Sequence, residues 1–90
     1  MAVKINVPTP MRQHTGGKAE VAASGATVQS VLDDLGKQFP GLTERLFDKG
    51  QLKRFVNLYL NDEDIRFLDN LNTAVKDGDQ LAIIPAVAGG

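Results

Sequence analysis

Apolar and polar positions alternate at the start of the chain. Val3, Ile5 and Val7 fall on one side and Lys4 and Asn6 on the other, the period of a half-buried strand that Pro8 and Pro10 end. The glycines of "HTGGK" suit a reversal or flexible loop, and "AEVAA" can then run back as a short second strand of a long-looped hairpin. The period then changes. Val28, Val31, Leu32, Leu35 and Phe39 recur at the spacing of one helical face, with Thr27 or Ser24 placed to cap the N-terminus. Pro40-Gly41 ends that helix. "LTERLFD" adds a short helical turn with Leu42, Leu46 and Phe47 facing inward, and the stretch from Lys49 to Lys53 reads as a polar loop.

"RFVNLYLND" is the strongest strand signal: Val56, Leu58 and Leu60 occupy one face, and Phe55, Asn57 and Tyr59 the other. Both faces carry apolar weight, as expected of a central strand or one with a partner-facing side. "NDED" reads as a turn, "IRFL" as a short strand, and "DNLNTAVKDGDQ" as irregular chain ending in a tight Asp77-Gly78-Asp79 turn. "LAIIP" supplies the last strand. The order strand, strand, helix, strand, short strand, strand predicts an α+β domain of the β-grasp kind seen in ubiquitin. Its mixed sheet of four to five strands would carry one main helix on one face. Residues 1–85 would form the domain and 86–90 a flexible C-terminal tail.

Ninety residues allow one small domain, and 42% hydrophobic content is ordinary for a globular chain. Ten basic and eleven acidic residues, mixed along the chain, lack the basic excess expected of a nucleic-acid binder. The chain has no cysteine, which excludes disulfides, thiolate metal sites and cysteine nucleophiles. "MAVKINVP" lacks the basic and apolar regions of a signal peptide, and no apolar run approaches the ~20 residues of a membrane span. The expectation is a cytoplasmic protein that binds neither membrane nor nucleic acid.

Side-chain chemistry is sparse. His14 is the sole imidazole and, with no ligand partners beside it, reads as a solvated loop residue or a backbone hydrogen-bonder rather than a metal ligand. Asp62-Glu63-Asp64 could meet a divalent ion or a basic partner, but a turn after a strong strand needs only its polarity. "HTGGK" lacks the residue spacing and following helix of a phosphate loop. No nucleophile–base pair emerges, so catalysis by this chain is not expected.

Two features remain. If Val56, Leu58, Leu60, Leu81 and Ile83 face the helix, then Phe55, Tyr59, Ala82 and Ile84 face the opposite side as an apolar, partner-binding patch. The other feature is the end, "PAVAGG", where the sole reactive group is the Gly90 carboxylate. A carboxylate is a poor electrophile until it is converted to an acyl-adenylate, after which it can accept sulfur, an amine or a thiol. Without Cβ atoms, Gly89 and Gly90 can thread a narrow channel, and Val87 and Ala88 could anchor the tail by burying apolar area.

The signature "DGDQLAIIPAVAGG", with "PTPMRQHTGGK", "ASGATV", "LTERLFD" and "RFVNLYLNDEDIRF", resembles the MoaD/ThiS family of ubiquitin-like sulfur carriers along essentially the whole chain. Many relatives on the molybdopterin branch read "PPVAGG", whereas this chain has Ala86, and the likeness is to the cysteine-biosynthesis branch. The resemblance implies that Gly90 is adenylated by a MoeB/ThiF-like enzyme using ATP and magnesium, then converted to a thiocarboxylate. It further implies delivery to a pyridoxal-phosphate-dependent cysteine synthase and release of the product by a metal-dependent peptidase. The chain itself would carry no cofactor or metal and be monomeric when free. Sulfur delivery to molybdopterin or thiamine thiazole synthesis, or conjugation to lysine through Gly90, is the alternative.

Overall fold

The structure, a computed structural model, describes residues 2–48, 51–53 and 56–85. Strand β1 (Ala2–Asn6) and strand β2 (Glu20–Ser24) form the predicted antiparallel hairpin, with Ile5 opposite Val21. Their connection is more ordered than its glycines suggest. Thr9–Thr15 is a 3-10 helix whose Met11 and Thr15 side chains are buried. Thr15 Oγ1 lies within hydrogen-bond reach of the carbonyls of Arg12 (3.1 Å) and Lys18 (2.8 Å), and Arg12 Nε donates to the Val7 carbonyl at 3.0 Å. Gly16 and Gly17, both at positive φ, then turn the chain.

Helix α1 (Val28–Gln38) is capped by Thr27 rather than Ser24: Thr27 Oγ1 accepts from the Ser30 amide, and Ser30 Oγ accepts from the Thr27 amide in return. It buries Val28, Val31, Leu32 and Leu35 against the sheet. Pro40 does more than stop α1. It opens a second helix, α2 (Pro40–Leu46), where its missing N–H is tolerated in the first turn. Leu42 and Leu46 are buried as predicted, and Phe47 packs against the core from a partly buried position. Phe47–Asp48 (β3) pairs with Gln51–Leu52 (β4), so part of the expected polar loop is a two-stranded ribbon.

The main sheet continues with β5 (Val56–Leu60), β6 (Glu63–Asp64) and β7 (Gln80–Pro85), in the order β2-β1-β7-β5-β6. β7 holds the middle of the sheet, and β5, whose two-sided apolar pattern predicted a central strand or one with a partner-facing side, is an interior strand paired with β7 and β6. β7 runs parallel to β1 and antiparallel to β5. The short strand after the turn is Glu63–Asp64. "IRFL", read as strand, instead makes a 3-10 turn at Ile65–Phe67, because Asp64 accepts from the Arg66 amide and caps it. A further 3-10 turn, Asn70–Asn72, lies in the irregular stretch.

One inner-face row reads Val21, Ile5, Leu81, Leu60 across the strands, and all four side chains are buried beneath the helices. The Asp77-Gly78-Asp79 turn fixes where β7 begins. Asp77 Oδ1 accepts from the Ala2 amide and Asp79 Oδ2 from the Lys76 amide, while Asp79 Oδ1 accepts from Asn61 Nδ2. Those amide donors hold the Asp79 carboxyl below the usual carboxylate range. One turn thus ties the starts of β1 and β7 to the end of β5.

Candidate functional site

The side of the sheet away from α1 is where a partner can reach the end of β7. Pairing places Tyr59 opposite Ala82 and Asn57 opposite Ile84, with Asn6 beside Ala82 on the other flank. Period-two alternation then puts Tyr59, Ala82 and Ile84 on one surface, as the sequence suggested. Tyr59 and Ala82 are half-buried, and Ile84 is 43% exposed. Asn57 interrupts the patch and lysine borders it at Lys4, so the apolar surface is small. Phe55, the fourth patch residue, lies outside the described residues, as do Val87, Ala88, Gly89 and Gly90.

β7 fixes the point from which residues 86–90 leave the described sheet. β7 is paired on both sides, and its last pair sets Val56 opposite Pro85. The five residues after Pro85 can span at most about 17–18 Å when extended.

Two groups beside β5 escaped the sequence reading. Arg66 folds back onto Asp64, with Nη2 2.7 Å from Oδ2 and Nε within 3.2 Å of both carboxylate oxygens. The Arg66 hydrogen bonds lower the Asp64 pKa, and the carboxylate raises that of Arg66, with a smaller contribution from Tyr59. Asp64 is therefore buried and committed to this pair, which answers the acidic Asp62-Glu63-Asp64 run: it caps a turn. Next to it, Phe67 is 80% exposed. The signal available in the sequence was Asp64 itself, two residues ahead of an amide it could cap.

His14 is neither a solvated loop residue nor a backbone partner. It is half-buried, and its Nε2 accepts from Arg45 Nε at 3.2 Å. It also lies so close to α2 that a Cβ on Gly41 would come 2.9 Å from its Nδ1. Among the described residues, no three His, Cys, Asp or Glu side chains gather as a metal site. No described helix is long and apolar enough to cross a membrane. A depression of about 610 Å³ lies on the helical side between Leu32, Gly36, Thr43 and Phe47, with Asp33, Lys37 and Glu44 also on its wall.

A hairpin, a helix and a final strand placed centrally beside the first define a ubiquitin-like β-grasp protein, here ending in a short segment with no reactive side chain. The comparisons with known proteins narrow that class. The chain belongs to the ThiS family, whose model matches residues 5–90 and so runs through both terminal glycines. It is 52% identical over its whole length, and the relative's whole length, to "Sulfur carrier protein CysO" of Mycobacterium tuberculosis. A chain of the crystal structure of the Amycolatopsis orientalis BexX/CysO complex is 50% identical and superposes with a TM-score of 0.91, covering 98% of this chain and 99% of that one. The small archaeal modifier protein 1 of Methanosarcina acetivorans is 33% identical with a TM-score of 0.88, covering 99% and 96%.

Proposed function

We propose that this protein is a sulfur carrier whose Gly90 carboxylate is adenylated and then converted to a thiocarboxylate, most directly for cysteine biosynthesis. The observation that carries the reading is the full-length 52% identity to a sulfur carrier, together with a family match that extends to the last residue. In the first step a Gly90 carboxylate oxygen attacks the α-phosphorus of ATP and pyrophosphate departs. In the second, a hydrosulfide equivalent attacks the carbonyl and AMP leaves with the bonding electron pair. ATP and magnesium belong to the MoeB/ThiF-like partner that performs this activation. A pyridoxal-phosphate-dependent cysteine synthase would use the thiocarboxylate, and a metal-dependent peptidase would release the product. The chain serves as co-substrate rather than catalyst, a cytoplasmic role without cofactor, metal, membrane or nucleic acid of its own.

Tail and domain divide the work. Residues 1–85 act as the handle, and Val87 and Ala88 seat the tail, residues 86–90, in the partner while Gly89 lets it pass. Ordering five residues opposes binding by about 1–2 kcal/mol each, so contacts from the folded domain must offset part of that. Phe55, Tyr59, Ala82 and Ile84 supply them. Intact mass after incubation with a MoeB/ThiF-like enzyme, ATP, magnesium and sulfide tests the reading. Exchange of a single terminal oxygen for sulfur is expected, and its absence with every such enzyme would overturn it.

The likeness to a small archaeal modifier protein favours a second use of the same acyl-adenylate. A lysine ε-amine attacking the Gly90 carbonyl would expel AMP and leave an isopeptide bond. Gly-Gly remnants on lysines of other proteins after proteolysis would reveal it.

A further inference from the structure

Phe67 is the most exposed large apolar side chain described, at 80%, and its neighbours hold it there. A 3-10 turn has three residues per turn, so consecutive side chains diverge by about 120°. Ile65 points into the core at 2% exposure, and Arg66 turns back to Asp64. The turn is closed at both ends: Asp64 Oδ1 accepts from the Arg66 amide at 2.9 Å, and the Leu68 amide donates to the Ile65 carbonyl at 2.9 Å. Leu68 returns to the core from a partly buried position. The remaining direction, occupied by Phe67, faces solvent. An aromatic ring presented on a short closed turn loses little backbone freedom when a partner takes it up.

Its place in the sheet gives that exposure a use. β6 runs antiparallel to β5, with Glu63 opposite Leu60 and Asp64 opposite Tyr59. The chain therefore travels back along β5 toward Val56. A cleft of about 160 Å³ between Ile65–Arg66 and Val56–Leu58 marks the same course. Val56 is opposite Pro85, the residue from which the tail departs. The turn that carries Phe67 thus follows the edge strand β6, two strand positions from β7, on a course toward the end of the sheet where Pro85 lies. Gly90 reaches only about 17–18 Å beyond Pro85. An enzyme that acts on the Gly90 carboxylate must bring its own surface over this end.

We propose that Phe67 is an anchor for the ATP-using enzyme that adenylates Gly90, seating in an apolar pocket beside the mouth of that enzyme's tail channel. The inference rests on the carrier reading and adds a docking residue outside the Tyr59–Ala82–Ile84 face. Buried aromatic anchors carry a large share of interface energy, and this one is exposed and oriented before the encounter.

Pyrophosphate exchange with a MoeB/ThiF-like enzyme, ATP and magnesium tests it, using the full chain as substrate. Phe67→Ala should raise KM for the carrier by about tenfold while leaving kcat within about twofold, the signature of lost docking rather than lost chemistry. The melting temperature should not change, and Phe67→Tyr should recover most of the KM. Placing a photoreactive benzoylphenylalanine at position 67 should cross-link the carrier to the enzyme. An unchanged KM in Phe67→Ala would overturn the docking role alone. Cross-linking only to a second copy of this chain would replace it with self-association. No exchange with the unaltered protein would overturn the carrier reading, and this inference with it.

Discussion

Val56 stands opposite Pro85, so the central strand stays paired with β5 to the residue where the tail begins. Among the described residues, the last buried core side chain along the chain is Ile83. Removal of Gly89 and Gly90 should therefore leave the thermal unfolding curve unchanged while abolishing pyrophosphate exchange and thiocarboxylate formation. A shift in melting temperature would show that the last residues contribute to the fold.

Ile84 projects from the outer face beside Asn57 and is 43% exposed. Ile84→Asp puts a charge at the centre of the proposed docking patch without disturbing the core. It should weaken activation by about tenfold or more in KM, with stability changed by no more than about 0.5 kcal/mol, the usual range for surface positions. Paired measurements of exchange kinetics and urea unfolding check both halves.

Gly36 sits in α1 where α2 passes closest: a Cβ there would lie 2.5 Å from Thr43 Oγ1. Alanine normally favours a helix over glycine by about 1 kcal/mol. At this site the clash should win, and Gly36→Ala should destabilise by about 1–3 kcal/mol. In a Thr43→Ala background the same change should turn stabilising. A double-mutant cycle in urea measures that change of sign.

Asp79 accepts hydrogen bonds from the Lys76 amide and from Asn61, which lower its pKa in the folded state. Its contribution is then full above the unfolded carboxylate value near 3.9 and is lost as pH falls through the lower folded value. Asp79→Asn should be less stable than the unaltered chain near pH 6, and the gap should narrow at about pH 3. Urea midpoints at the two pH values check this, and an equal gap at both would remove the charge from the explanation.

Much of this architecture is legible along the chain because burial leaves a local period. Val3, Ile5 and Val7 alternate as a strand with one buried face must, and Val28, Val31, Leu32 and Leu35 repeat as a helix must. Turn chemistry was equally local at Asp77-Gly78-Asp79, where Gly78 has φ +88°. The 3-10 helix at Thr9–Thr15 was hidden because its seven residues bury only Met11 and Thr15, too few to set up an apolar period. "IRFL" misled because four residues cannot distinguish alternation from a turn, and Asp64 decided for the turn by capping it.

The sequence by itself determined the β-grasp order of elements, the buried residues of β1, α1, β5 and β7, and the absence of side-chain chemistry at the end "PAVAGG". These follow from periodicity and composition, which short-range physics reads directly. Only tertiary structure decided that β7 is the central strand and that His14 meets Arg45 across 31 residues of chain. It alone placed an exposed Phe67 along the edge that leads to the tail. Such placements depend on pairing between distant segments, and a one-dimensional pattern carries a residue's own burial but not the identity of its neighbour.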